Sequence, residues 1–335
     1  MSLIFCGDVA VPFGVDVDLS AIRSIFDGNH AVVNFEGAML FDEAEREARR
    51  WTDKYSLFNT PATVSLLKEL NAKVLSLLNN HTKDFRFPTS RTVDYLTDQG
   101  FSVIGRDNYD ECRATLDGHD YIFITFATYG CAHNYPLLGV GRLVSHVRQL
   151  RAENPGARIV IFPHWGLEMM PLPEPADRHL GRRLIDAGAD IIVGHHPHVV
   201  QPVERYNGKY IIYSIGNFMM PNAQVAGMKY TPRPETQNLM VVEWDGGEPK
   251  FHHLHFDADT CRFSLCPGQE TEQLGADDEG RRYFKKYVSR TGWSHYLRFA
   301  RYSDTTFGER GRWLRMRAYY LFRRLLIKTH IYRPY

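Results

Sequence analysis

The 335-residue sequence lacks any apolar run of about 18 residues, the length that marks a membrane-crossing helix, so no such helix is expected. It also lacks a basic leader with an apolar stretch and a small-residue cleavage site. Met1 to Asp8 runs straight into a strand-like segment, and a cleaved secretion signal is not expected. Cysteine is scarce. The five, Cys6, Cys112, Cys131, Cys261 and Cys266, are scattered and odd in number, which excludes a disulfide framework and predicts a reducing, cytoplasmic setting. Cys261 and Cys266 have no second pair to complete a zinc knuckle. Net charge is nearly absent at +1, which excludes a wholesale polycation of the nucleic-acid-coating kind. With 44% hydrophobic and 24% charged residues, disorder is excluded and one large core or two modest ones can form.

The near-zero charge conceals a division. Residues 281–335 hold 15 Lys/Arg against 2 Asp/Glu, leaving 25 basic and 37 acidic residues for positions 1–280, so a body of −12 carries a tail of +13. Within the body, short runs rich in Val, Ile and Phe recur at Leu3–Cys6, Ala31–Phe35, Lys73–Leu78, Phe101–Ile104, Tyr121–Phe126, Arg158–Phe162, Asp190–Val193 and Tyr210–Ile215. They read as buried strands. Helical spacing separates them at Thr63–Leu70, Ser90–Gln99, Gly141–Glu153 and Ala176–Ala187. The alternation predicts an α/β domain with a largely buried sheet. From about Asn238 the pattern turns to alternating strands, Leu239–Trp244 and Phe251–Phe256, joined by Asp245-Gly246-Gly247. The polar stretch with Pro267-Gly268 and Asp277-Asp278-Glu279 predicts a linker over 261–280, between a domain of 1–260 and a basic, helical extension of 281–335.

Metal-capable side chains cluster at the ends of these strands. Asp8 follows the first, Asn34-Phe35-Glu36 the second, Asn79-Asn80-His81 the third, His164-Trp165-Gly166 a later one and His195-His196-Pro197-His198 the next. The carboxyl ends of strands are where open α/β sheets place ligand sites, so one shared site is predicted. Carboxylate, amide and imidazole donors without thiolate suit Mn, Zn, Fe or Co. Six such ligands are too many for one tetrahedral ion and suit a pair bridged by a carboxylate, Glu36 or Asp8.

Gly7-Asp8, Asn34-x-Glu36, Asn79-Asn80-His81 with Asp84, His164-Trp165-Gly166-x-Glu168, Gly194-His195-His196-Pro197-His198 and Tyr213-Ser214-Ile215-Gly216-Asn217-Phe218 occur in this order. Together they resemble the CapA/PgsA capsule-synthesis family, over about residues 2–245. The resemblance implies a calcineurin-like metallophosphoesterase fold, an α-β-β-α sandwich of two sheets flanked by helices. It implies one or two divalent metals held by Asp8, Glu36, Asn80, His164, His196 and His198, with His81 as the catalytic imidazole. Two departures stand out. The usual Asp-x-His of the first strand ends here in Ala10, and the usual bridging Asp is the longer Glu36. Either change weakens one metal position or leaves a mononuclear site.

Other readings compete at each position. Asn80 could cap a helix, His164 could be a core histidine beside Trp165, and Asn217 could shape the site backbone or a tight turn. His195 either points into the fold or contacts substrate. Asp84 reads as a support or turn residue, and Glu168 as a support that hydrogen-bonds a ligating histidine. His252, His253 and His255 alternate along a strand and read as surface or packing residues.

In the tail, Leu314, Ala318, Leu321 and Leu325 form one apolar stripe within Arg312–Lys328, ringed by arginines. It fits an interfacial helix on an anionic membrane at the inner face, or a helix docked on the acidic body, a partner subunit or a membrane synthase. No base-reading module is visible, so specific nucleic-acid binding is not expected. Two functions follow. One is a metal-dependent hydrolase; the superfamily implies a phosphoester substrate and the capsule connection a polymer amide or ester. The other is an accessory component of capsule or exopolysaccharide assembly, binding polymer with little turnover.

Overall fold

The structure, a computed structural model, describes residues 1–48, 56–106, 109–128, 140–225, 228–275 and 278–291. Parallel neighbouring strands need long crossovers, and the first third of the chain supplies them. Its elements are β1 (Leu3–Val9), α1 (Arg23–Phe26), β2 (His30–Phe35), β3 (Ala38–Met39), α2 (Glu43–Ala48), β4 (Phe58–Asn59), α3 (Pro61–Glu69), β5 (Ala72–Ser76), α4 (Thr89–Asp98) and β6 (Ser102–Ile104). Strands β1, β2, β5 and β6 lie side by side in parallel. Helix α3 starts where the chain dictates: Pro61 occupies its first turn and Thr60 and Thr63 form a reciprocal capping pair.

The chain then builds a second sheet from β7 (Tyr109–Leu116), β8 (His119–Phe126), α5 (Val140–Glu153), β9 (Arg158–Ile161), α6 (Pro175–Asp186), β10 (Ile191–Val193), β11 (Val203–Tyr206) and β12 (Lys209–Ile212). It returns to the first sheet with β13 (Asn217–Met219), leaves it for the hairpin β14 (Ala223–Val225) and β15 (Met228–Tyr230), and re-enters with β16 (Asn238–Trp244), β17 (Lys250–Asp257) and β18 (Arg262–Leu265). The last described elements, β19 (Gln273–Leu274) and α7 (Gly280–Thr291), lie on the second sheet. The first sheet runs β18-β17-β16-β1-β2-β5-β6 with β13 also on β1, and the second runs β19-β11-β12-β10-β9-β8-β7.

Strand alternation sorts the apolar residues into three layers. Leu3 and Phe5 of β1 meet Tyr121 and Phe123 of β8 and Val160 of β9 between the sheets. Ile4 and Cys6 face outward and are covered by Phe26 of α1, Val64 and Leu67 of α3, and Val93 and Leu96 of α4. On the far side, Ile122, Ile159 and Ile192 pack beneath Val147 of α5, Leu184 of α6 and Tyr287 of α7. This is the expected α-β-β-α sandwich. Because both faces of the central strands are buried, they read in sequence as continuous apolar runs rather than alternating ones.

Three features differ from the sequence reading. Strands β7 and β11 carry the polar sequences YDECRATL and VERY and were not expected. Their hairpin turns, Asp117-Gly118 and Asn207-Gly208, have left-handed φ at both residues, the turn that such dipeptides favour. The stretch 261–280 is not a linker: Phe263 of β18 packs in the core beside the first sheet and Leu274 of β19 in the core beside the second. Its polarity reflects edge strands anchored by one apolar residue each. Finally, the basic extension does not begin free of the body, because Tyr283, Tyr287 and Val288 bury one face of α7 on the second sheet. The predicted helix Arg312–Lys328 falls outside the described residues. Among the described residues no helix is long and apolar enough to cross a membrane.

Helix α7 is tied down by a buried charge. Glu204 accepts hydrogen bonds from Arg178 (2.9 and 3.1 Å), Arg182 (2.8 Å) and the Tyr213 hydroxyl (2.5 Å), while the Arg178 guanidinium lies 4.1 Å from the centre of the Tyr283 ring. Burial raises the Glu204 pKa, but the hydrogen bonds from Arg178, Tyr213 and Arg182 outweigh it and hold the carboxyl below its ordinary value. Glu204→Gln strands Arg178 and is expected to cost about 3–5 kcal/mol in chemical denaturation near neutral pH. A lowered native pKa stabilises the fold above the unfolded value of about 4.3. The deficit of the variant should therefore shrink as pH falls through the lowered native value, and a deficit unchanged in acid would contradict the assignment.

Candidate metal centre

Both sheets deliver their carboxyl ends to one place. Asp8 sits near the end of β1, opposite Asn34 of β2 on one side and Asn217 of β13 on the other, and the register shifts beside it in both ladders. Such irregularities re-aim side chains next to functional sites. Glu36 stands one residue beyond β2, and His164 pairs with His195 in an isolated bridge beyond β9 and β10. Gly194 lets β10 end here: a Cβ on it would meet Trp165 Nε1 at 2.2 Å and the Tyr213 carbonyl at 2.3 Å. The turn that follows is strained. His196 and His198 have φ of 101° and 60°, the left-handed region that non-glycine residues rarely enter.

The side chains interlock. Asn34 Nδ2 donates to Asp8 Oδ1 at 2.7 Å, His195 Nδ1 lies 3.4 Å from the same oxygen, and His198 Nδ1 lies 3.1 Å from Asp8 Oδ2. His164 places Nδ1 2.8 Å from His195 Nδ1 and Nε2 2.7 Å from Asn80 Oδ1. Asn217 Oδ1 is 2.8 Å from His198 Nδ1, so this residue touches a site imidazole directly. His195 points into the fold, its ring 4.5 Å from that of Phe162. His81 Nδ1 is 2.5 Å from Asp84 Oδ2, which also accepts the Leu57 N–H at 3.0 Å. Three ligand-capable groups result, each with its donor atoms within 4.8 Å: Asp8, His164 and His195; Asp8, Glu36 and His198; and Glu168, His196 and His198. These contacts bring Asp8, Asn34, Asn80, His164, His195, His198 and Asn217 together, Glu36 groups with Asp8 and His198, and Glu168 groups with His196 and His198 as a possible ligand. By contrast, His252, His253 and His255 lie on β17 and pair with Glu243, Thr271 and Asn238.

Electrostatics show what the cluster lacks. Asp8, Glu36, His164 and His195 are completely buried, yet Asp8 Oδ2 meets only the His198 imidazole, and both Glu36 oxygens, His195 Nε2 and His196 Nδ1 have no hydrogen-bond partner. A buried carboxylate without a partner is costly. Four orphaned donor atoms in one cluster are what a divalent cation satisfies, so these residues fit a metal ion.

The titrations follow from the same burial. Burial and the Asp8 charge push Glu36 up to about 8. Burial opposes ionisation of Asp8, but His195 and His198 outweigh it and hold that carboxyl well below its usual range. Burial lowers His196 to about 4 and, with His196 and His195 adding to it, holds His164 well below the usual imidazole value. Against burial, Glu36 and Asp8 raise His198 to about 10, and Asp84 raises His81 to about 9.

Two buried amides hold this arrangement: Asn59, which the sequence reading did not single out, and Asn79, which it named only as part of the Asn79-Asn80-His81 run. Asn59 donates to the carbonyls of Val9 and Glu36, both at 2.9 Å, and accepts the Val11 N–H at 3.0 Å. It thereby clips together the segments that carry Asp8 and Glu36. Asn79 donates to the Phe35 carbonyl at 2.9 Å and accepts the N–H groups of Gly37 and His81 at 3.2 Å. In the sequence, Asn59 before Thr60-Pro61 signals only a helix start.

Residues 2–222 match the family described as bacterial capsule synthesis protein PGA_cap, and the chain belongs to that family. It is 30% identical over 224 residues to the PGA biosynthesis protein CapA of Bacillus subtilis, covering 62% of this chain and 57% of that protein. It is 27% identical over 203 residues to the capsule biosynthesis protein CapA of Bacillus anthracis, covering 56% and 49%. The chain thus spans about half the length of the curated relatives it matches. Among solved structures, a hypothetical protein from Thermus thermophilus matches 81% of this chain and 100% of its own, at 18% identity and a TM-score of 0.44.

Glu36 and His198, with pKa values near 8 and 10, are protonated at neutral pH in the metal-free protein and must lose protons to ligate. Divalent-metal affinity is therefore expected to rise as pH climbs towards 8, with proton release on binding. Titration calorimetry in two buffers of different ionisation enthalpy measures this, and an affinity flat with pH would contradict it.

Proposed function

We propose that this protein is a metal-dependent hydrolase of the phosphoesterase type that serves capsule, poly-γ-glutamate or exopolysaccharide biosynthesis. The observation that carries the reading is the set of orphaned, buried carboxylate and imidazole atoms at the joined carboxyl ends of the two sheets. One or two divalent cations would be held by Asp8, Glu36, Asn80, His164, His196 and His198 and would supply Lewis-acid polarisation of a phosphoryl or acyl oxygen. His81 supplies the proton. Its Nδ1 is fixed by Asp84, which leaves Nε2 for the substrate, and with its pKa raised to about 9 it is charged at neutral pH. Partly exposed where Asp8 and Glu36 are not, His81 stands on the solvent side of the cluster and can protonate a leaving group.

The test is hydrolysis of p-nitrophenyl phosphate, bis-p-nitrophenyl phosphate and γ-glutamyl peptides by metal-loaded protein. His81→Ala is expected to lower kcat by roughly 10²–10⁴-fold while metal content stays unchanged, and His196→Ala to lower both. Absence of turnover by loaded wild type on every substrate would sink the hydrolase reading.

A second reading, an accessory polymer-binding component with little turnover, is favoured by one observation. Ala10 is buried against Leu57 and Met220, so an apolar contact fills the position where the resembled phosphoesterases carry an imidazole. In either reading the basic residues 281–335 dock the protein, cytoplasmic in this proposal, on an anionic membrane surface or a membrane synthase. The exposed Arg281 and Lys285 on α7 begin that basic face. Co-sedimentation with phosphatidylglycerol vesicles is expected at low salt and to fade as salt rises. Equal binding to phosphatidylcholine vesicles, or none at any salt, would contradict it.

A further inference from the structure

Three carboxylates converge on the cluster, and the third comes from a segment with its own anchoring. Glu168 follows Gly166, whose φ is +84°, and precedes Met169, whose φ is +63°. The Met169 N–H donates to the Pro197 carbonyl at 2.8 Å, and Gln201 Nε2 donates to the Met170 carbonyl at 2.9 Å. These two bonds bind the Glu168 segment to the strained turn that carries His196 and His198. The Glu168 carboxylate and the two imidazoles consequently bring one donor atom each within 4.8 Å of one another. His196 is buried, and its Nδ1 has no hydrogen-bond partner.

We propose that Glu168 is a metal ligand, completing with His196 and His198 an outer cation position distinct from the wholly buried set of Asp8, His164 and His195. This rests on the metal-centre reading above and adds to it a ligand and an inequality between two positions. The charge of Glu168 acts on His81, His196, His198 and Glu36 together, as expected of a group central to that part of the site. On the opposing side Ala10 offers no donor, and its methyl group packs with Leu57 and Met220. Glu168 and His198 are only partly buried, whereas Asp8, His164 and His195 are sealed. The outer ion therefore exchanges with solvent and the inner one is retained. A Glu/His/His set also accepts harder ions such as Mn²⁺ more readily than an all-imidazole set does.

Titration of metal-stripped full-length protein with Co²⁺, followed by visible absorption and by metal content after dialysis, tests this. Wild type should take up two equivalents in two steps. Glu168→Gln should weaken the second step by more than the roughly 10–100-fold that removal of a partner of a ligand costs, so that the d–d bands of that ion are lost or shifted. Glu168→His should restore the second equivalent, with preference shifted from Mn²⁺ towards Zn²⁺. Circular dichroism of the metal-free variants checks folding, and if Glu168→Gln does not fold, Glu168→His decides the same question through its metal preference. Two unchanged steps with an unchanged spectrum in Glu168→Gln would overturn the proposal while leaving the metal centre standing. Wild type that binds no Co²⁺ would overturn both.

Discussion

Two carboxylates, Asp8 and Glu36, are sealed from water at the point where the two sheets bring their carboxyl ends together. Two adjacent negative charges there cannot both ionise without compensation, and the pair responds by splitting. Asp8 keeps its charge against His195 and His198, whereas Glu36 is pushed up to about 8. A cation removes the conflict by favouring both carboxylates and neutral imidazoles at once. Much of the surrounding structure makes sense as support for that arrangement. The amides of Asn34, Asn59, Asn79 and Asn217 hold the ligand-bearing segments, and the left-handed His196 and His198 flank Pro197, whose carbonyl accepts the Met169 N–H, while Gln201 beyond them donates to the Met170 carbonyl.

A second buried charge anchors the opposite side of the second sheet. Glu204 gathers Arg178, Arg182 and Tyr213, and the Trp165 indole, next to His164, donates to the Tyr213 carbonyl at 2.8 Å. The same network reaches Tyr283 and Glu279 at the start of α7. One chain of contacts therefore links a histidine of the candidate site, the core of the second sheet and the root of the basic tail. The tail's first turns are part of the body, and a boundary drawn at residue 280 would cut through packed structure.

The sequence was most legible where burial is two-sided. Strands such as Tyr121–Phe126 and Arg158–Phe162 are apolar on both faces, so they appear as unbroken runs and were readable without neighbours. Strand β7 was not, because its edge position admits Asp, Glu and Arg, and β11 was not, because its Glu204 is buried by pairing with Arg178 and Arg182 from another element. Only their Asp-Gly and Asn-Gly turns hinted at hairpins. The segment 261–280 misled for a similar reason: single anchors, Phe263 and Leu274, hold edge strands whose remaining residues are polar.

At the site, the order of Asp8, Glu36, Asn80, His81, His164 and the His195–His198 run was enough to predict one metal-capable cluster, because strand ends of an α/β fold share an edge. Residue type and spacing along the chain determined that much and carried the family resemblance, and it was the resemblance that implied the sandwich. What they could not decide is which atoms meet. Glu168 came within reach of His196 and His198 through one backbone and one side-chain hydrogen bond to a segment about thirty residues away, and Asn59 became a clamp by reaching the carbonyls of Val9 on β1 and Glu36 just beyond β2. Such roles depend on distances between segments remote in sequence, which are fixed by packing and hydrogen-bond closure rather than by local pattern. The chain's own alphabet specified a metal site; the folded chain decided its geometry, its buried and open sides, and the point from which the basic tail departs.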